Sequence, residues 1–307
     1  VAIFGMSSNL FVLIFIQRID SIRKPFVQTS ISQMIGDFTV LLTFAAYAAP
    51  LTLFSNIDWF KNDQLNRFMG QLNISAYVAC TYTHLLRSSC RFMAISYPIN
   101  HSRIFTMRNT IIALFLIWIY AILQTMIYYI DGCSFYYSIS HYGFIFADTP
   151  CGNAIKVTVD FAQYLVVIAI VAILDAITIF RIHRIHGRVR VNETETQLRR
   201  NREIRLFVQA VLQDSAFLLL PLCSMFISSL MTSKWSAFFC TTFIWELVHS
   251  LDGVIAILCN PGLRLLLLPR WLRNDRRGRN GNDPRKKAFT QVANSTTPIK
   301  PLTLARR

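Results

Sequence analysis

The chain has 307 residues, of which 53% are apolar and only 15% are charged. Soluble domains carry about 25% charged residues, and this strong deviation excludes intrinsic disorder, a collagen and a small disulfide-stapled fold. The 31 Lys and Arg exceed the 16 Asp and Glu by 15 charges. In a soluble protein this excess would indicate a nucleic-acid partner, whereas in a membrane protein it indicates which parts of the chain face the cytoplasm.

Seven stretches of the chain are long and apolar enough, or nearly so, to form helices across about 30 Å of hydrocarbon. Several are far longer than a strand, which favours helices. The first is short and the chain starts at Val1, so we expect that this chain begins inside the natural protein. In chain order the predicted spans are residues 1–17, 26–54, 68–95, 110–130, 157–180, 204–231 and 237–258.

The basic residues sort by side of the predicted membrane. The connections after spans one, three and five, counted with the adjoining span ends at Arg91 and Arg205, and the C-terminal tail hold 26 of the 31. The opposite side holds four, and Arg87 lies deeper within a span. Because positive charge marks the cytoplasmic side, we predict the N-terminus outside and the C-terminus in the cytoplasm. The sorting also argues against a nucleic-acid partner and makes the lipid bilayer the expected environment.

These observations predict an all-α fold, a bundle of seven transmembrane helices. We expect residues 1–273 to form this bundle and residues 274–307 to form a basic, disordered cytoplasmic tail.

Ionisable side chains inside the spans are the first candidates for function, because they are costly in a bilayer unless they face the bundle interior. Asp37 lies near the middle of span two, and we expect it to form a buried polar network with Asn9 and Asn260. A lone protonated acid, hydrogen-bonded within its own helix, is the alternative.

Span three carries His84, Arg87 and Arg91 at intervals of three and four, so the three side chains share one helix face. Arg91 lies at the cytoplasmic end, where we expect it to keep its charge in water. Arg87 is about one turn deeper and needs a partner, either as a structural salt bridge or as part of a switch. The plausible partners are Asp175 and Asp214.

Span seven carries Glu246, His249 and Asp252 on one face. Glu246 lies near the outer end, so we expect this stripe to line a ligand cavity open to the outside, with Glu246 and His249 as candidate contacts. Metal binding by such a face is conceivable, but no second ligand cluster supports it. We therefore predict no metal and no cofactor.

Cys133 and Cys151 both fall in the long outer connection between spans four and five. The outer compartment is oxidising, so we expect a disulfide between them. The alternatives are two unpaired thiols, or Cys240 as a rival partner near the outer start of span seven.

Several polar residues and prolines resemble, in their order and separation, those of rhodopsin-like G-protein-coupled receptors. They are Asn9, Asp37, Arg91 within Cys90-Arg91-Phe92, Trp118, Pro221 and Asn260-Pro261. The stretches 84–97 (HLLRSSCRFMAISY) and 131–136 (DGCSFY), with Cys151 downstream, further resemble the nematode chemoreceptors called serpentine receptor class X. This resemblance implies a plasma-membrane receptor of sensory neurons that binds an external small molecule or peptide and activates a heterotrimeric G protein.

The resemblance also assigns expected roles in the conformational change that activates such receptors. Pro221 lacks a backbone N–H and can kink span six, and Arg91 with the basic connection 181–205 would form the G-protein docking surface. Cys90 stands where rhodopsin-like receptors carry an acid, so the usual clamp on that arginine is missing.

A transporter or channel that uses the buried carboxylates is the alternative function, although no inverted repeat is visible. No GxSxG, HExxH or phosphate-loop motif is present, and we therefore do not expect an enzyme.

Overall fold

The computed structural model describes residues 1–19, 25–54, 62–186, 208–220 and 233–267, together with the single positions 223, 227 and 230. Pro221 and most of the basic connection 181–205 lie outside the described residues. The described chain is predominantly helical, with one short β-hairpin.

Seven main helices form the described part of the bundle, and two short ones follow α3 and α8. The main helices are α1 (Ala2–Ile19), α2 (Pro25–Leu53), α3 (Asp63–Ser96), α5 (Met107–Tyr129), α6 (residues 150–186), α7 (Val208–Leu220) and α8 (Lys234–Cys259). The short helices are α4 (Pro98–Ile104) and α9 (Pro261–Leu267). The strands are β1 (Phe135–Ser138) and β2 (Gly143–Phe146), between α5 and α6.

Four helices of the described part are long and apolar enough to cross a membrane. They are Pro25–Leu53, Met107–Tyr129, Pro150–Ile182 and Lys234–Cys259, while α1 and α7 contain shorter apolar runs. The helix α3 has 34 residues, and its buried face is rich in polar side chains such as Asn73, His84 and Arg87. A helix with this much polar surface is stable in a membrane only when other helices surround it.

The helix α3 occupies the centre of the bundle. It packs against α2, α5, α6 and the first strand of the hairpin, whereas α1 packs against α2 and α8. A close approach of α1 and α8 depends on Gly253, because a Cβ atom there would lie 2.6 Å from the Asn9 side-chain oxygen. The three helices α2, α6 and α8 each contain a π-helical segment, at Phe44–Ala48, Lys156–Ala162 and Phe239–Phe243.

The hairpin closes one end of the bundle. Its strands pair antiparallel, with Phe135 opposite Phe146. Gly70 of α3 lets β1 lie directly on the helix, since a Cβ atom there would be 2.1 Å from the carbonyl oxygen of Phe135. The predicted disulfide between Cys133 and Cys151 is confirmed, and it joins the residues before β1 to the start of α6.

A cluster of aromatic rings fills the space beneath the hairpin. Phe135 stacks on Phe144 with ring centroids 5.7 Å apart, and Phe44 meets both Phe144 and Trp245 edge to face. Tyr77 contacts Trp245 at 5.3 Å from the α3 side. Such ring contacts add stabilisation beyond the burial of their area.

Residues 261–307 form a separate unit by their contacts, of which the structure describes α9. The predicted domain boundary at residue 273 lies outside the described residues and stays a prediction.

Candidate functional site

A line of polar side chains, joined by hydrogen bonds and ion pairs, runs through the middle of the bundle, and it begins beneath the aromatic cluster. The indole N–H of Trp245 donates to Nε2 of His249 over 3.1 Å. Because Nε2 accepts, the ring proton of a neutral His249 lies on Nδ1, which donates to Oδ1 of Asp37 over 2.7 Å. Both nitrogens of this fully buried imidazole therefore have partners within the protein.

Asp37 and Asp252 are joined by one amide. Nε2 of Gln33 donates to Asp37 over 3.2 Å and to Asp252 over 3.1 Å. Gln33 precedes Asp37 by four residues on α2, so the two side chains share a face, and this spacing is the sequence signal that could have identified Gln33. Gln213 of α7 donates to the backbone oxygen of Asp252 over 3.0 Å.

Asn9 contacts the same region by a hydrogen bond to the backbone of His249. Its side-chain amide donates to the carbonyl oxygen of His249 over 3.0 Å. Asn9 and Asp37 are thus linked through His249, which we expected in a ligand cavity instead, while the place of Asn260 in this network stays a prediction.

The imidazole of His84 stands between two acids. Its Nε2 lies 3.6 Å from Oδ2 of Asp252, and its Nδ1 contacts Oδ1 of Asp214. The guanidinium group of Arg87 approaches from the same helix, with Nη2 2.9 Å from His84 Nδ1 and 3.6 Å from Asp214. Arg87 is fully buried and has Asp214 as its acidic partner.

Arg91 ends the line, and its environment differs from the sequence expectation. Its Nη2 lies 2.7 Å from Asp175 on α6 and 2.7 Å from Asp214 on α7. Ser88 donates to the same oxygen of Asp175 over 2.8 Å. The expectation that Arg91 keeps its charge in water is wrong, because the two acids enclose it and leave the residue only 7% exposed. Asp175, considered as a partner for Arg87, pairs with Arg91.

The polar line thus connects the aromatic cluster to the opposite part of the bundle through five helices. Its members are Trp245, His249 and Asp252 on α8, Gln33 and Asp37 on α2, His84, Arg87 and Arg91 on α3, Asp175 on α6, and Asp214 on α7.

The residues that flank Arg91 make contacts of their own. The Cys90 sulfur lies 3.4 Å from Nε2 of His101 on α4. Burial lowers the pKa of His101, so the neutral ring can accept the thiol hydrogen. Phe92 and Tyr97 both face the guanidinium group of Arg181, at 5.9 and 5.6 Å from their ring centroids, a cation–π arrangement that joins α3 to α6.

One group of buried residues has the composition of a metal site. Asp37, Cys80 and His249 each offer a ligand atom, and these atoms lie within 4.8 Å of one another. Cys80 donates its thiol hydrogen to the same Asp37 oxygen that receives the His249 proton, over 3.5 Å. These three groups bind one another without requiring an ion, and Cys80 was missed because a lone cysteine inside an apolar span carries no sequence signal.

Three further predicted residues lie within α8 or directly after it in the chain. Asn260 ends α8 and Pro261 begins α9. Glu246 lies half-buried near the π-helical segment of α8. Pro221 lies outside the described residues, so its role in a kink stays a prediction.

The fold defines the class of protein. The chain superposes on the crystal structure of squid rhodopsin with a TM-score of 0.67, at 16% sequence identity, covering 86% of this chain and 80% of that one. This similarity shows the fold of a G-protein-coupled receptor.

The family follows from the sequence. Residues 1–260 match the family model of the serpentine type 7TM GPCR chemoreceptor Srx, and the chain belongs to this family. In Caenorhabditis elegans, serpentine receptor class X 45 is 29% identical over 280 residues, which cover 86% of this chain and 77% of that protein. Serpentine receptor class X-43 is 24% identical over 264 residues, or 83% and 78% of the two chains. The chain is a membrane protein and a chemosensory receptor of the G-protein-coupled class.

Proposed function

We propose that this receptor resides in the plasma membrane of sensory neurons and activates a heterotrimeric G protein when an external small molecule or peptide changes the polar line between Trp245 and Arg91. The observation that carries this proposal is the continuity of that line, since each side chain contacts the next. A ligand changes signalling only if it binds two conformations with different affinity, and the ion pairs of this line are contacts that a second packing of the helices would change.

The ion pairs of Arg91 with Asp175 and Asp214, at one end of the line, form what we call the lock. Asp175 and Asp214 lie on different helices and share one guanidinium group, so a movement of α7 away from α6 would separate Arg91 from at least one acid. Breaking a buried ion pair costs about 3–5 kcal/mol when one charge is left without a partner. The lock therefore favours the resting arrangement until ligand contacts offset that cost.

The other end of the line, at Trp245, is where a ligand would act. Trp245 lies between the hairpin and His249, so a ligand that displaces the hairpin or the ring of Trp245 would alter the hydrogen bond to His249. Glu246, half-buried on the same helix, is our candidate for a direct ligand contact, while His249 would respond through Trp245. Pro221 and the Asn260-Pro261 pair are the proposed points where α7 and α8 bend.

We assign the G-protein surface to the region around Arg91. Cys90 and Phe92 flank the arginine, and Arg181 holds the α6 end against Phe92. Once Arg91 leaves its acids, its guanidinium group becomes available to the G protein. Positive charge in the connections on this side supports a cytoplasmic position for this surface and an outer position for the hairpin.

The experiment is G-protein activation in cells that express the full chain, screened against a chemical panel with the Arg91→Ala variant beside it. We expect a ligand-evoked response that Arg91→Ala abolishes and that Arg67→Ala retains, because Arg67 pairs with the exposed Asp131 far from the lock. Surface labelling reports delivery of each variant. A normal response from Arg91→Ala would contradict the role assigned to Arg91, and substrate flux in cells without G proteins would support a transporter instead.

A further inference from the structure

A cavity of about 210 Å³ lies between α3, α6 and α7, beside the lock. Residues of α6 and α7 form most of its wall, and they are mainly aliphatic. The aliphatic lining includes Val167, Ile168, Val171, Ile179, Val211 and Leu218.

One side of the cavity is polar. His84, Asp175 and Asp214 of the polar line reach its surface, and so does Thr81, one turn of α3 before His84. An occupant of this cavity would therefore touch the two carboxylates that hold Arg91.

Small side chains leave the cavity open on the outer surface of the bundle. Ala172 and Ala176 of α6 and Ser215 of α7 line it, and all three are exposed. The neighbouring Ile173 and Ile177 are exposed as well, on a helix apolar and long enough to span the membrane. The opening therefore faces lipid, and a molecule dissolved in the bilayer can reach the carboxylates without passing the hairpin.

The volume limits the size of an occupant. An engineered apolar cavity of about 150 Å³ in another protein holds benzene, with six non-hydrogen atoms. By that proportion a cavity of 210 Å³ holds a molecule of about eight or nine non-hydrogen atoms.

The charges on the polar side of the cavity determine which polar group an occupant can carry. Two of the side chains that line the cavity, Asp175 and Asp214, are carboxylates, and carboxylate oxygens accept hydrogen bonds. A cationic hydrogen-bond donor would make a favourable contact with them, whereas an anion would be repelled.

We propose that this cavity is a second ligand site, open to the bilayer, for a small and mainly apolar molecule that carries one amine. The aliphatic walls receive the hydrocarbon part, and the amine donates to the carboxylates of Asp175 and Asp214. Binding at this site does not depend on the proposed signalling; an effect of the amine on G-protein activation would rest on the proposed function.

The test measures binding without a G protein. The full chain is purified in lipid nanodiscs, and its thermal unfolding is followed by tryptophan fluorescence with 2-phenylethylamine or propylbenzene, which have the same number of non-hydrogen atoms. We expect the amine to raise the Tm by roughly 3 °C at ten times its Kd, and propylbenzene to raise it less. An equal effect of propylbenzene, or no effect of the amine, would overturn the proposal.

Matched variants locate the site. Ala176→Leu fills the opening and should remove the effect of the amine, whereas Ala169→Leu adds the same side chain at an exposed position of α6 that does not line the cavity. If Ala176→Leu does not fold, Ser215→Leu closes the opening from α7. An amine effect that survives both closing variants would place the binding elsewhere and refute this site.

Discussion

At the scale of single residues, Arg91 owes its position to two acids that the chain supplies from α6 and α7. Rhodopsin-like receptors carry an acid beside this arginine, and Cys90 occupies that position here. Asp175 and Asp214 take over the charge pairing across helices, each at 2.7 Å. The clamp is therefore between helices and is sensitive to their separation.

Removing one of these acids should weaken the lock. Asp175→Asn keeps the side-chain shape but removes the charge. A hydrogen bond to a charged group contributes about 1.5–3 kcal/mol, and each 1.4 kcal/mol changes a population ratio about tenfold. We expect G-protein activation without ligand to rise roughly tenfold in the variant, as measured by nucleotide exchange in membranes.

The control for this change is Asp148→Asn, an exposed acid after β2 that should leave the basal rate unchanged. A basal rate in Asp175→Asn equal to that of the wild type, at equal surface expression, would show that Asp175 does not restrain the receptor.

A second residue, Asn66, links the hairpin to α3 by hydrogen bonds in place of a covalent bond. Asn66 lies near the position at the outer end of span three where rhodopsin-like receptors have a cysteine. Its amide donates to the carbonyl oxygen of Tyr137 over 2.9 Å and its oxygen accepts from the N–H of Tyr137 over 2.8 Å. This pair of bonds fixes β1 to α3, while the disulfide stays within the connection.

Loss of this tether should loosen the hairpin. Asn66→Ala leaves two partly buried backbone groups of Tyr137 without partners, which costs about 1–3 kcal/mol for each group that water does not reach. We expect a lower Tm and faster amide exchange in β1, whereas Asn153→Ala, an exposed change on α6, should alter neither. Unchanged exchange in β1 would show that packing on Gly70 suffices to hold the hairpin.

At the scale of elements, α7 is held to α6 at the carbonyl of Phe217. In a helix that continued past Leu220, the N–H of residue 221 would bond this carbonyl, but Pro221 has none. The hydroxyl of Tyr164 on α6 donates to it over 2.9 Å. The Phe217 carbonyl, which cannot accept an N–H from a proline four residues later, thus receives a hydrogen bond from the neighbouring helix.

A double-mutant cycle can test this replacement. Tyr164→Phe should lower the stability by about 0.5–1.5 kcal/mol, because a buried carbonyl loses its donor. With Pro221→Ala the backbone N–H returns, so the same change at Tyr164 should then cost much less. The measurement is thermal unfolding of the four proteins, with Tyr129→Phe as a control on α5; additive effects would refute the coupling.

The sequence predicted the helices better than their contacts. The predicted spans overlap all seven main helices of the described part, and four of these helices are long and apolar enough to cross a membrane, because such spans leave a signal that is local in the chain. The hairpin was missed, since two strands of four residues are too short to show a pattern, and its position depends on distant Gly70 and Asn66. The burial of Arg91 was misjudged for the same reason, as its partners lie 84 and 123 residues away.

At the scale of the whole molecule, three independent features predict that the hairpin lies on the outer side of the membrane. The basic residues are sparse in the connection that holds the hairpin, the disulfide between Cys133 and Cys151 needs an oxidising compartment, and the sequence after residue 267 is rich in Arg, which is typical of the cytoplasmic side. Their agreement is the physical basis for the predicted orientation.

The orientation can be measured with two epitopes on intact cells. One is inserted between Ile139 and Ser140, in the exposed turn of the hairpin, and the other follows Arg307. We expect the hairpin epitope to be labelled on intact cells and the C-terminal epitope only after permeabilisation, because translocation leaves the strongly basic side in the cytoplasm. The reverse labelling would place Arg91 outside the cell and remove the basis for assigning it to the G-protein surface.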